Sequence, residues 1–291
     1  MVLKFKRIRL TANLRWKIAS LAANITGKLI ARMMILGMNI LRCYLSVLLV
    51  YFTAPVAADE VRLFAAGAAK HAVEALAPAF YQATGHTLRA SYDTVGALTG
   101  RVLLAPPGAA TDVVILSDAA LASLGSAGRL NAVPAHRIGR VVVAIAVKQG
   151  MPIPDLSTSD ALRQALLAAP SVAYGDPARG ATAGTHFAKV IAALGLGEQL
   201  KSKITVLPFG VDVIAGIAEG RYALGISQSS EIKQHQGVSY AGSLPAPHGL
   251  STAYSAALAS ESTAARMLMT FLSSNAALRE FERSGFVQVK D

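Results

Sequence analysis

Along residues 60–291, short apolar runs alternate with stretches whose apolar positions recur at helical spacing. Val61-Arg-Leu-Phe-Ala-Ala66 reads as a buried strand ending at Gly67, and Lys70 to Ala83 as a helix with Val73, Leu76, Ala77 and Phe80 on its apolar face. Gly85 stops that helix. Thr87 to Tyr92 alternates like a second strand, and Val95 to Leu104 follows as a helix. Pro106-Pro-Gly108 is a turn, after which Asp112 to Leu116 and later Val141 to Val147 are uninterrupted apolar strands. A helix over 159–168 and a strand at Val172–Tyr174 come next, then a strand over 203–207, a helix over 211–219 and a strand over 223–227. Ala253 to Ala259 returns as a strand, and Ser262 to Arg283 closes as a helix broken at Asn275. Alternation of this kind predicts mostly parallel sheet with helices on its faces. Proline-bearing crossings at Gly150–Pro154 and Pro245–Gly249 divide it into two lobes, 59–140 plus 250–291 and 141–249, with a cleft between them.

The stretch Ser171 to Lys189 carries the candidate chemistry. A short strand breaks at Gly175-Asp-Pro177, a small-residue loop runs to Gly184, and an apolar-periodic run begins at Phe187. A strand, a glycine-rich turn and a helix start together present bare N–H groups and a positive dipole end to an anion. An ordinary turn between strand and helix also needs glycine, so the stretch alone decides nothing. Thr182 and Thr185 stand where a cap or ligand-contacting hydroxyl would be.

Charge removes one class of partner. The formal charge is +11, but residues 1–58 hold nine Lys/Arg and no Asp or Glu, which leaves +2 for the remainder. Nucleic-acid binding needs a basic face, and the folded part does not supply the charge for one. The leader has its own explanation. Arg42 precedes an apolar core of about ten residues and a Val56-Ala-Ala58 exit, the pattern of an export signal cut after Ala58. That places the mature protein in the periplasm, with Met33, Met34 or Met38 as alternative starts. The core falls short of the ~20 residues of a bilayer span. The sole cysteine, Cys43, lies in that signal, so the mature chain has no thiol chemistry and no disulfide.

The ordered set Phe64-Ala-Ala-Gly67, Thr111-Asp-Val-Val-Ile-Leu-Ser-Asp118, Gly175-Asp-Pro177 with Ala183-Gly184, Val211-Asp-Val213, Leu224-Gly-Ile-Ser227 and Ser284-Gly-Phe286 resembles the molybdate-binding periplasmic protein family. The resemblance implies a two-lobed α/β type II periplasmic-binding-protein fold with chain crossovers between the lobes. It implies too an interlobe anion site, an ABC-importer permease as partner, a monomer, and no cofactor or metal. Carried over, the site comprises Gly67, Ala68, Thr94, Val95, Thr182, Ala183, Gly184, Asp212, Val213 and Gln228, with Arg179 added as the best charged candidate. Where the family offers two serines and a tyrosine, this chain has Ala68, Val95 and Gln228. Only backbone donors at Ala183 and Val213 carry over unchanged. Losing several hydrogen-bond donors to a buried anion, at ~1.5–3 kcal/mol each, turns the expectation from molybdate toward an organic carboxylate. Lys70, His71, Asp93, Arg101 and His186 border the same turns. Of these, His71, Asp93 and His186, together with Asp212, leave open an isomerase or lyase acting on a polycarboxylate, and a ligand-sensing module would use the same residues.

Overall fold

The computed structural model describes residues 59–131 and 135–288, with scattered helical residues between Trp16 and Met38. The chain divides between Ala57 and Ala58 into two compact units, and the second contains everything below. The expected signal sequence and its cleavage point lie outside the described residues.

The strands are β1 (Glu60–Ala66), β2 (Thr87–Asp93), β3 (Val113–Ser117), β4 (His136–Lys148), β5 (Val172–Gly175), β6 (Ile204–Leu207), β7 (Leu224–Gln228), β8 (Val238–Ser243) and β9 (Ser251–Leu258). They run in the order β2-β1-β3-β9-β4-β7-β5-β6, with β8 also on β4. β1, β2 and β3 pair in parallel, as do β5, β6 and β7. The antiparallel pairs all involve β4 or β9. β4 pairs with β9 from His136 to Val142 and with β7 from Val143 to Ala146. It therefore belongs to both halves of a two-lobed α/β fold.

The alternation of side chains along a strand sets the cores. Val143, Ile145 and Val147 face a core with Leu162, Phe187 and Ile226. The intervening Ala144 and Ala146 face Val213, Ile214, Ile217 and Ile232 on the opposite side of the sheet. The other lobe packs Leu63, Phe80, Leu116, Tyr254 and Phe281 around β1, β3 and β9.

The helices are α1 (Lys70–Thr84, after a 3-10 turn at Gly67–Ala69), α2 (Val95–Leu104), α3 (Asp118–Ser126), α4 (Ser159–Ala168), α5 (Thr182–Ala193), α6 (Gly197–Leu200), α7 (Gly210–Ala218), α8 (Ser229–Gln234), α9 (Thr263–Leu272) and α10 (Asn275–Arg283). Hydroxyl caps start several of them: Thr94, Ser117, Thr158, Ser262 and Ser274 each accept a backbone N–H. Gly85 ends α1 at φ 75°, a left-handed position suited to glycine. The break expected at Asn275 is the α9/α10 junction, where the Ser274 cap restarts the helix.

The sequence pattern misses several pieces, the four-residue α6 among them. β4 begins at His136, not Val141, because its first five residues interleave charges and glycine. α3 is built of Ala, Ser and Gly with a weak apolar stripe. β8 is an edge strand without a single buried residue, so no apolar run marks it. α8 is too short for its period to be read.

Asp112, 8% exposed, joins three segments of the first lobe. Its carboxylate accepts from the Arg62 N–H at 2.9 Å, from the Arg62 guanidinium at 2.8 and 3.1 Å, and from the Ser260 hydroxyl at 2.8 Å. Burial works against the charged form, but these bonds, the Arg62 side chain foremost, outweigh it and hold the carboxyl below its usual range. The folded pKa lies under the unfolded value of about 4, so this stabilisation is complete above that pH and fades as pH falls through the folded value. Asp112→Asn should lose about 2 kcal/mol at neutral pH. Its unfolding free energy should also fall less steeply than wild type toward pH 3, as checked by urea titrations across that range.

Candidate functional site

The C-terminal ends of β1, β2, β5 and β7 open onto one cavity of about 340 Å³ between the lobes. Its walls are largely apolar, with Ala66, Val95, Phe209, Val211 and Ile226 among them. Four helical starts face it: the Gly67 turn leading into α1, and the first turns of α2, α5 and α7. The first in-helix bond of α5 runs from the Thr185 N–H to the Ala181 carbonyl, and that of α7 from Val213 to Phe209. The amides of Thr182, Ala183 and Gly184, and those of Gly210 and Val211, precede those bonds and have no intrahelical acceptor. The cavity thus collects main-chain donors and positive dipole ends at one point.

Of the candidates from sequence, Gly67, Ala68, Thr94, Val95, Thr182, Ala183, Gly184 and Gln228 line this cavity. Arg179, Asp212 and Val213 do not. The Val213 amide is already committed to the Phe209 carbonyl at 3.3 Å, so the free donors of α7 lie earlier, at Gly210 and Val211. Asp212 sits in the same first turn, outside the lining. The Arg179 guanidinium turns away to Asp93 (Nη2 to Oδ1, 3.1 Å) and stacks over Phe209 at 4.8 Å. Arg179 is thereby a contact between the lobes. Thr94 has the same character: it caps α2 and donates its hydroxyl proton to the Arg179 carbonyl. Asp176 fixes its own turn by accepting from Ala178 at 2.8 Å. Arg101 covers the Phe64 ring at 4.0 Å, and His186 meets the His248 carbonyl at 2.7 Å.

The Gln228 side chain is 4% exposed, and neither of its amide atoms has a hydrogen-bond partner among the described residues. Gln228 and Glu231 face one another as a capping box, in which Glu231 accepts the Gln228 N–H at 3.3 Å. A buried amide left open toward a cavity is a donor and acceptor waiting for a ligand.

Tyr92, Tyr254 and Glu231 bring polar side chains to the lining that were not among the candidates from sequence. Tyr254 arrives from β9, with the Thr182 hydroxyl as partner, so a phenol enters the site by another route than the family position now held by Gln228. Burial raises the Tyr254 pKa, with the Thr182 bond opposing and the Glu231 charge adding. Tyr92 is likewise raised, by burial first and then by Glu74, and Lys70 lies 5.1 Å above its ring while pairing with Glu74. Glu231 keeps some accessible surface because it faces the cavity, although it lies deep in the protein. Burial raises its pKa, and the bonds from Ser227 and the Gln228 N–H offset this only in part. A carbon on Gly67 would come within 2.8 Å of Glu231 Oε1, and one on Gly210 would strike Oε2 and the Ser227 hydroxyl. Both glycines leave room for that carboxyl. Among the described residues, no cluster of His, Cys, Asp and Glu is arranged to hold a metal ion.

Two α/β lobes joined through shared strands, with helix starts converging on an interlobe cavity, define a periplasmic-binding-protein fold. The model of the bacterial extracellular solute-binding proteins matches residues 61–287, and the chain belongs to that family. A relative from Pseudomonas sp. named aconitate isomerase is 32% identical over 257 residues, covering 84% of this chain and 95% of that protein. The Azotobacter vinelandii periplasmic molybdate-binding protein superposes with a TM-score of 0.64 at 18% identity, over 79% of this chain and 100% of that one. The sulfate-binding protein of Mycobacterium tuberculosis H37Rv does so at 0.61 and 19%, over 79% and 87%. Among the described residues no helix is long and apolar enough to cross a membrane.

Proposed function

We propose that the protein is a periplasmic solute-binding protein, exported by its cleaved leader, that closes on a small polycarboxylate and delivers it as a monomer to an ABC-importer permease. The lobes 59–140 plus 250–291 and 141–249 close about β4 and β9. The observation that carries this reading is the convergence of four helix starts on one cavity, two of them (α5 and α7) with amides that lack an intrahelical acceptor, with Lys70 at its edge. Its volume, about 340 Å³, suits an organic ligand, since such pockets run from about 300 to 1,000 Å³. A tetrahedral oxyanion, with roughly the bulk of a few waters at about 30 Å³ each, would leave much of it empty. Gln228, Tyr92 and Tyr254 bring polar side chains from three different strands to the cavity wall, and the Gln228 amide has no partner among the described residues. The relative named for aconitate, a tricarboxylate, supports the same ligand class.

The test is thermal unfolding of protein expressed from the full chain, in the presence of molybdate, sulfate, citrate, and cis- and trans-aconitate. A ligand at 100 times its dissociation constant adds about 2.7 kcal/mol. A tricarboxylate should raise the melting temperature and molybdate should do so weakly. A dominant molybdate response would refute the ligand class, and indifference to every anion would refute the binding role.

A second reading, an isomerase or lyase acting on the same polycarboxylate, is favoured by the carboxyl of Glu231 facing the cavity and by the name of that relative.

A further inference from the structure

We propose that Glu231 is the proton carrier of this cavity, taking a proton from a carbon beside a carboxylate of the bound ligand and returning one to the ligand's carbon skeleton. The inference rests on the reading that the cleft takes a polycarboxylate. A carboxyl group is out of place among anion-binding amides if binding is its only task, because its charge would repel the ligand. Its environment has nevertheless been shaped to hold it. Glu231 is the third residue of α8, and Gly67 and Gly210 lack the carbon that would displace it. Oε2 is fixed by the Ser227 hydroxyl and the Gln228 N–H, whereas Oε1 makes no hydrogen bond among the described residues and lies against Gly67 at the cavity wall. One oxygen is anchored and the other is available.

The step balances without any co-reactant. Glu231 as carboxylate forms an O–H bond as the ligand's C–H bond breaks. The electron pair passes into an enolate whose charge rests on the ligand's own carboxylate oxygens. Amides at the starts of α5 and α7 receive that charge where it develops. The Glu231 O–H then returns its proton to the same or a conjugated carbon, restoring the carboxylate. A base in a low-dielectric cavity is stronger than a solvated one, and burial acts on Glu231 in that direction. The other titratable groups on the cavity are Lys70, Tyr92, Asp93 and Tyr254. Asp93 is taken up by Arg179, burial holds both phenols protonated, and Lys70 pairs with Glu74, so none of them competes as base.

The experiment incubates protein expressed from the full chain with trans-aconitate in D2O. Deuterium entry and isomer conversion are followed by proton NMR, and affinity by calorimetry. Wild type should bind and exchange. Glu231→Gln should bind within about tenfold of wild type and lose exchange by a hundredfold or more, the scale of general acid–base catalysis at ~10²–10⁴. Ser227→Ala tests the same assignment without altering Glu231. Ser227 favours the carboxylate, so its loss should move the rise of the exchange rate to higher pH. Binding without exchange in wild type, exchange at the wild-type rate in Glu231→Gln, or an unmoved profile in Ser227→Ala would overturn the inference while leaving the ligand class intact. Failure of trans-aconitate to bind at all would overturn both.

Discussion

Alanine in place of Gly184 should cost the protein about 3 kcal/mol and most of its ligand affinity. Ordinarily this exchange within a helix gains up to about 1 kcal/mol, since alanine is the better helix former. Here the sign reverses. A carbon added at Gly184 would overlap the carbonyl oxygen of Gly175 and come within 2.7 Å of its carbonyl carbon and 3.3 Å of its Cα. Those atoms belong to β5, held in parallel register between β6 and β7, and cannot move aside without breaking the sheet. The start of α5 must lift instead, carrying the amides of Thr182 and Ala183 away from the cavity. Overpacking of this kind costs ~1–3 kcal/mol, and in a domain of this size ~1 kcal/mol corresponds to about 2–4 °C of melting temperature. A fall of roughly 6–12 °C in calorimetry is expected, with a lost thermal response to tricarboxylates. Gly100→Ala is the matched control, because a carbon there meets nothing within 4 Å. It lies within α2 and should be neutral or stabilising. If Gly184→Ala melted like Gly100→Ala, the close seating of α5 on β5 would be wrong.

That seating also explains which parts of the site can be read from the chain. Gly175-Asp-Pro and Ala183-Gly184 announce a strand that turns tightly into a helix, because local backbone geometry alone demands those residues. What the side chains do there is decided by distant segments. Arg179 reads as a ligand contact from its place in the glycine loop, but Asp93 and Phe209 claim it from other elements. Tyr254 lies in a strand whose neighbours are all small or apolar, and only the crossing of β9 beside β4 brings its hydroxyl to Thr182. Val213 fails as a donor by a single turn, an error inherent in reading a helix start to within a few residues. Glu231 left one local trace. Gln228-x-x-Glu231 ahead of Ile232 is the spacing of a capping box, which marks a helix start and places a carboxyl beside it.

Blocking the contact between Gly96 and Gly180 should hold the lobes apart and lower ligand affinity by a hundredfold or more, with little change in the melting of the ligand-free protein. The two glycines meet backbone to backbone across the cleft. The Gly96 N–H donates to the Gly180 carbonyl at 3.2 Å, and a carbon added at Gly96 would lie 2.7 Å from the Gly180 Cα. Gly180 sits at φ 72°, so alanine is better tried at Gly96, where no left-handed backbone confuses the result. Neither lobe's core includes either residue, which is why stability should survive. Affinity should not, because a ligand that needs the closed form binds in proportion to the fraction of molecules that can reach it. Arg179→Ala offers the graded comparison. Its ion pair with Asp93 is partly exposed, and the guanidinium reaches the cavity wall through Asp93 and Phe209. Such pairs contribute about 0–1 kcal/mol, so the loss should stay within about tenfold. Calorimetry gives the affinities and small-angle scattering gives the separation of the lobes. Gly96→Ala should scatter as the more extended molecule whether or not tricarboxylate is present. Wild-type affinity in that variant would mean that the ligand enters and is held without the two glycines meeting, and the closed cleft would then not be the binding form.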